Sequence, residues 1–269
     1  MTETSYERPR ALISDGDFVL LYREGKKWLV RVKSGSLFHT HAGIINHDDL
    51  VGRPFGTWVT TSLGEKVWAL RPLMKDIILK AERATQILYP KEWGYIVAQL
   101  GIGPGSKVLE VGTGSGAFTT FAAHLVRPHG HVYSYEIRPE FHALATRNIS
   151  KAGLAEYVTL RLADARKGVE ETGLDAAVVD IGDPESVLPA VSAALAGSAP
   201  MAVAVPTVNQ LERVVSTMRQ LGVVDIEVCE LLLRRWETKI GALRPSTRMI
   251  GHTTYLVFGR NVLGDAQLS

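Results

Sequence analysis

The residues from Val108 to Val126, VLEVGTGSGAFTTFAAHLV, constrain this chain more than any other stretch because several local rules act on them together. Val108, Leu109 and Val111 form the short apolar run of a buried strand, whereas Phe118, Phe121, Ala122 and Leu125 recur on one helical face. Between them, Gly112, Gly114 and Gly116 permit backbone angles that a Cβ disfavours and let the chain approach a ligand closely. A helix opening directly after such a turn offers free N–H groups. Strand, turn and helix in this order predict a site for a nucleotide-like cofactor.

The surrounding pattern extends this unit in both directions. From about Ala11 to Leu70, alternating runs such as DFVLLYREGKKWLVRVKSG and TWVTTSLGEKVWALRP are broken at Glu24-Gly25 and Gly64-Glu65, which reads as hairpins of a small β domain over 1–70. After Arg71-Pro72 the period changes. Strands expected at Lys107–Gly112, His131–Glu136, Val158–Asp164, Ala176–Ile181 and Met201–Pro206 alternate with helical runs such as RPEFHALATRNISKAG and NQLERVVSTMRQLG. That alternation predicts an α/β domain over 71–269 built on a doubly wound, mostly parallel sheet. Two last runs, DIEVCELLLRRW and HTTYLVFGR, are separated only by irregular TKIGALRPSTRMIG, so they can pair antiparallel at one edge.

Composition excludes several classes. At 269 residues and 46% hydrophobic content the chain can bury a sizeable core, and a net charge of +2 does not by itself announce nucleic acid. Cys229 is the sole cysteine, which rules out an intrachain disulfide or a cysteine-built zinc site and suits a reducing cytoplasm. The N-terminal MTETSYERPR is unlike a signal peptide, and no apolar run approaches about 18 residues. A cytoplasmic protein with no membrane partner is expected.

In an open parallel sheet, ligands bind at the carboxyl ends of the strands, and here those ends are acidic. Glu110 precedes the glycine turn, Glu136 ends the second strand, Asp164 the third and Asp180 the fourth. Each of these acids can equally cap the helix that follows. Asp183 fits that role best, because it stands before Pro184 in DPESVL; Asp180, still on the strand, has no such task. A nucleoside triphosphate loop fails on the spacing of its lysine. NAD is not excluded by spacing, since Gly112, Gly114 and Gly116 make GxGxG and Glu136 follows at roughly the 20-residue distance of a ribose-binding acid. Charge discriminates better: a turn without a basic residue, flanked by Glu110, Glu136 and Asp180, suits a cation more than a pyrophosphate. The residues therefore favour S-adenosylmethionine, with its sulfonium and ammonium, over NAD.

Several segments together resemble one family. RATQILYPKEWGYIV, VLEVGTGSGAFT, VYSYEIRPE, VVDIGDPESVL, PTVNQ and RPSTRMIGHTTYLVFGR are similar to the tRNA N1-adenine methyltransferases that modify the T-loop, and FHTHAGIINHDDLVG resembles their N-terminal β domain. The resemblance runs from about Ile13 to Arg260. It implies a class I S-adenosylmethionine-dependent methyltransferase fold, Rossmann-like, preceded by the small β domain. It also implies tRNA as partner, methylation at N1 of adenine 58 and in some members 57, and a homotetramer. Carried over by residue, the cofactor positions fall on Gln86, Tyr89 and Pro90, on Glu110, on Gly112, Thr113, Gly114, Ser115, Gly116 and Ala117 in the turn, on Glu136 for the ribose, and on Asp164 for the adenine. The catalytic acid falls on Asp180, which also borders the cofactor. A departure is Gly182, where proline is common, and it puts the rigidity of the loop after Asp180 in question. An acid suits that place, because N1 attacks with its own lone pair and the product ring becomes cationic.

Other candidates have simpler readings. His39-Thr40-His41 lacks a third ligand nearby and reads as structural, so no metal is expected. Lys26, Lys27, Arg31 and Lys33 read as a solvated face. RRWETKIGALRPSTR carries Arg234, Arg235, Lys239, Arg244 and Arg248 against Glu237, a charge that suits phosphate or a subunit contact; Trp236 within it can stack a base or fill an interface. A non-catalytic RNA-binding protein of the same fold is the alternative to the enzyme. An NAD-dependent oxidoreductase ranks last for want of a proton-transfer partner.

Overall fold

The computed structural model describes residues 12–263 apart from Thr85. Ala11 and the polar N-terminal segment lie outside the described residues. The chain divides into two compact units, Met1–Ala81 and Glu82–Ser269.

In the first unit, β1 (Phe18–Arg23) and β2 (Lys26–Arg31) form the expected hairpin, turning at Glu24-Gly25 with φ of 48° and 82°. Both angles are positive, as a two-residue turn matched to strand twist requires. A second hairpin joins β3 (Leu37–Thr40) to β4 (Gly43–Asn46). Strands β5 (Thr57–Thr60) and β6 (Lys66–Leu70) complete a four-stranded antiparallel sheet of order β2-β1-β6-β5. Alternation puts Val19, Leu21, Val30, Val59, Val67 and Ala69 on one face, where they pack with Ile13, Ile45 and Leu50. A short helix, α1 (Met74–Lys80), packs against β2, so the division falls after Ala81 and not at the Leu70-Arg71 change of period.

The second unit opens with α2 (Pro90–Leu100) and continues as β7 (Lys107–Val111), α3 (Ala117–Val126), β8 (His131–Glu136), α4 (Pro139–Lys151) and β9 (Val158–Leu162). The chain then crosses to β10 (Ala176–Val179), α5 (Leu188–Ala194), β11 (Pro200–Val205), α6 (Val208–Gln220) and β12 (Val224–Glu230). Two-residue strands β13 (Trp236–Glu237) and β14 (Arg244–Pro245) pair with each other before β15 (Tyr255–Arg260). The sheet has seven strands in the order β12-β15-β11-β10-β7-β8-β9, parallel from β11 to β9. The last two long strands pair antiparallel as expected, but β15 lies between β11 and β12 and pairs with both.

Helices cover both faces of this sheet. Leu109, Val111, Ala177, Val179, Met201 and Val203 pack with Leu188, Val191, Val214 and Met218 of α5 and α6. The alternate residue Glu110 bonds instead to Thr119 of α3. Successive strand residues thus serve opposite layers, as the near-continuous apolar runs predicted.

Candidate active site

Sequence order reverses across β7 and β10, which are hydrogen-bonded neighbours with Glu110 opposite Val178 and Val111 opposite Val179. A crevice opens at the carboxyl ends of strands at such a switch point. Here it is a cavity of about 390 Å³, and the second unit alone supplies its walls. The Asp180 amide donates to the Val111 carbonyl at 2.9 Å, which carries the β10 end directly beside the glycine turn. Gly112, at φ 101°, makes this approach possible, because a Cβ there would collide with the Asp180 carbonyl oxygen.

Five acids line the cavity: Glu110, Glu136, Asp164 and Asp180, each at a different strand end, and Asp183 in the loop after β10. Glu110 is buried, and its Oε2 accepts the hydroxyls of Thr119 and Ser134, both at 2.5 Å. Thr113 in turn meets Ser134 at 2.6 Å. Burial outweighs these bonds and pushes the Glu110 carboxyl up to about 8, with the nearby charges of Asp180 and Glu136 adding to the shift. Glu136, also buried, accepts the Gly114 amide on Oε2 at 2.9 Å and the Arg138 amide on Oε1 at 3.0 Å, so it braces the glycine turn from the neighbouring strand. Asp180 is exposed at the cavity mouth, yet protein crowds its other sides, and burial pushes its carboxyl up to about 6.

Asp164 begins a short 3-10 turn and is held by one neighbour. Its Oδ1 accepts the Arg166 amide at 3.1 Å and Nε at 2.8 Å, and its Oδ2 accepts the second guanidinium nitrogen at 3.1 Å. These bonds hold its carboxyl below the usual range. With about four lone-pair sites on a carboxylate, one on Oδ2 stays open for a further N–H.

Arg138 and Arg166 line the cavity too, and the sequence reading missed both. Each follows its acid by two positions, as Glu136-Ile137-Arg138 and Asp164-Ala165-Arg166, and that spacing was the available signal. Arg166 also donates to Asp183 Oδ2 at 3.0 Å. This changes the role read for Asp183: it precedes a 3-10 turn at Pro184–Ser186, but its carboxylate caps no backbone N–H and binds Arg166 and the Ser186 hydroxyl. The loop after Asp180 is held at two more points. Gln210 donates to the Gly182 carbonyl at 2.8 Å, and Arg213 pairs with Glu185 at 2.5 Å. Freedom at Gly182 is therefore offset by side chains of α6.

Gln86, Gly112, Thr113, Gly114, Ser115 and Ala117 stand on the cavity wall with the four strand-end acids and Asp183. Tyr89, Pro90 and Gly116 do not. Tyr89 and Pro90 start α2, where the Tyr89 amide donates to Glu92 at 3.0 Å. Gly116 precedes α3 at φ 78°, and a Cβ there would press on Ala145 at 3.2 Å. Apolar wall is added by Leu88, Ile137 and Ile181, which the sequence reading had not singled out. His41, elsewhere in the first unit, meets Lys26 at 3.0 Å and the Trp28 ring.

Known proteins resemble this chain in sequence and fold. A family model described as tRNA methyltransferase complex GCD14 subunit matches residues 67–244, and one described as TrmI-like N-terminal matches residues 13–59. A tRNA (adenine(58)-N(1))-methyltransferase TrmI of Thermus thermophilus is 33% identical over 90% of this chain and 95% of its own length. A Methanocaldococcus jannaschii relative, named for adenines 57 and 58, is 30% identical over 90% of this chain and 94% of its own. Among solved structures, a SAM-dependent O-methyltransferase from Thermotoga maritima superposes with a TM-score of 0.89 at 35% identity, covering 94% of this chain and 96% of that one. The Aquifex aeolicus tRNA (m1A58) methyltransferase TrmI gives 0.83 at 31% identity, covering 94% and 100%. The parallel sheet with its antiparallel β15 is thus the expected class I S-adenosylmethionine-dependent methyltransferase fold. With the matched model spanning well over half its residues, the chain belongs to the GCD14 family of tRNA methyltransferase complex subunits.

Proposed function

We infer that this protein is a tRNA (adenine-N1)-methyltransferase that uses S-adenosyl-L-methionine and acts on adenine 58 of the T-loop, with the neighbouring adenine 57 as the alternative target. One observation carries the reading: a cavity lined by Glu110, Glu136 and Asp180 at the switch point, entered by a glycine turn whose first member admits no side chain. Of these acids, Asp180 and Glu136 suit a sulfonium and an ammonium, while Glu110 is held mostly protonated and braces the wall; Leu88, Ile137 and Ile181 suit a flat purine. When bound, the cofactor supplies an electrophilic methyl group.

The chain's own residues do the rest. Glu136 receives ribose hydroxyls while bracing the turn, and Asp164 offers its one open acceptor site to the adenine amino group. Gln86 and the turn residues Gly112, Thr113, Gly114, Ser115 and Ala117 would hold the methionine part, with Gly116 acting indirectly through its packing on Ala145. Tyr89 and Pro90 act indirectly, by fixing the start of α2. Asp180 accepts a hydrogen bond from the target amino group, aims N1 at the methyl and stabilises the positive charge that develops on the ring. Arg166, Gln210 and Arg213 keep its loop in place.

The catalytic site is thus assigned to the second unit and the small β domain to the first. A cytoplasmic location is the one we assign, and a reaction on tRNA is what supports it. A homotetramer is the assembly we assign, supported by the apolar side chains Leu232, Leu233, Trp236, Ile240, Leu243 and Ile250 exposed around the basic segment. Incubating the protein with unmodified tRNA and the cofactor, then analysing nucleosides by mass spectrometry, should reveal 1-methyladenosine. Reverse transcription should stop beside a T-loop adenine, because N1 methylation blocks the pairing edge. Methylation of a ribose oxygen with free read-through would overturn the N1 assignment.

A further inference from the structure

The outer face of the four-stranded sheet bears side chains that methyl transfer leaves unexplained. Directly opposed residues on neighbouring strands share a face. The register sets Lys27 opposite Tyr22, Tyr22 opposite Trp68, and Trp68 opposite Trp58. One lysine and three aromatic rings therefore cross β2, β1, β6 and β5 in a line. Their sequence neighbours Leu21, Val67 and Val59 point into the core, so the line points outward. Trp68 is 44% exposed and Trp58 37%, on the side of an antiparallel sheet that ordinarily carries polar residues.

The charges beside this row are positive and unopposed. Lys66 Nζ stands 4.1 Å from the centroid of the Trp58 ring, and the Arg71 guanidinium lies 4.2 Å from that of Phe55. Glu24 and Glu65 both turn to Arg23, at 3.6 and 2.8 Å. Among the described residues, Lys27 and Lys66 enter no ion pair. Open rings flanked by uncompensated ammonium groups match a strand of unpaired nucleotides, whose bases stack while the phosphates meet the cations. An acidic peptide would use the cations and leave the rings idle. A purely apolar partner would bury the ammonium groups at a cost.

We propose that Tyr22, Trp68 and Trp58, with Lys27 and Lys66, form a stacking platform for unpaired bases of the RNA substrate, outside the cavity of the second unit. The inference rests on tRNA being the substrate. Binding of tRNA to the full-length protein, followed by fluorescence anisotropy, tests it. Trp68→Ala and Trp58→Ala should each weaken tRNA binding by about five- to a hundredfold, the usual loss for one stacked base. Calorimetric affinity for S-adenosylmethionine should stay at the wild-type value, and Trp68→Phe should restore most of the tRNA affinity. Lys66→Ala should flatten the slope of log K against log salt by about 0.7. The platform is overturned if both tryptophan variants bind tRNA within about twofold of wild type, well below a stacking contribution. A drop in the light-scattering mass of these variants would overturn it too, by making the row a protein contact. Wild-type protein that binds no tRNA would instead sink the substrate assignment itself.

Discussion

Asp180 and Glu110 are two carboxyls on adjacent strands with different tasks, and their surroundings separate them. Asp180 faces the cavity mouth with its carboxyl near 6, so it is largely ionised at neutral pH and ready to accept a hydrogen bond. Asp180→Ala should leave cofactor and tRNA affinity largely intact while slowing methyl transfer by about a hundredfold or more. The proposed role needs the carboxylate form, so kcat/KM should fall as pH drops through about 6, and the residual activity of Asp180→Asn should lose that acid limb. Undiminished turnover in Asp180→Ala would remove this residue from the mechanism. Glu110, buried under Thr119 and Ser134, titrates near 8. A raised native pKa favours the protonated form, so its contribution to stability is present at low pH and is lost as pH rises from about 4.5 to 8. Glu110→Gln keeps an oxygen for both hydroxyls and should flatten the fall in melting temperature across that window. Parallel melting curves for the two proteins would show that Glu110 does not titrate there.

The element that fixes both acids is the junction of β7, the glycine turn and β10. Gly112→Ala places a methyl group on the Asp180 carbonyl at a backbone angle that side chains avoid, so the turn and the β10 end must separate. We expect at least about 2 kcal/mol of lost stability and no measurable cofactor binding, read by denaturant unfolding and calorimetry. A stable variant with wild-type cofactor affinity would mean the close approach is dispensable. This junction was legible in the sequence because apolar runs, glycines and acids each follow a local rule. The strand-end acids all reached the cavity for that reason. Arg138 and Arg166 were less legible, since their two-position offset from an acid is the sole local signal and the turn that brings each into the cavity follows no period. Tyr89 and Pro90 were placed by likeness to a family, and here they open a helix. The pairing of the last two long strands was readable, but the insertion of β15 beside β11 depends on which edge is vacant, which no local pattern encodes. Strands of two residues, such as β13 and β14, are too short to show any alternation.

At the scale of the whole molecule, the segment from Arg234 to Arg248 asks to be two things. Arg234, Arg235, Lys239, Arg244 and Arg248 are all exposed, and among the described residues none is in an ion pair. Among them Ile240 is 88% exposed and just after them Ile250 is 68%, more apolar surface than a monomer usually leaves together. Both roles fit one geometry if the apolar side chains join subunits and the cations then line a continuous groove for the RNA backbone. The two sets of side chains should therefore separate by mutation. Arg244→Ala and Arg248→Ala should weaken tRNA binding and flatten the slope of log K against log salt by about 0.7 to 0.9 for each phosphate no longer neutralised, with the assembly mass unchanged. Ile240→Glu introduces a charge where a partner is proposed, so it should lower the mass seen by light scattering, and on this reading tRNA affinity should fall with it. If the arginine variants instead change mass while leaving the salt slope untouched, the cations bridge subunits and the RNA backbone must be held elsewhere.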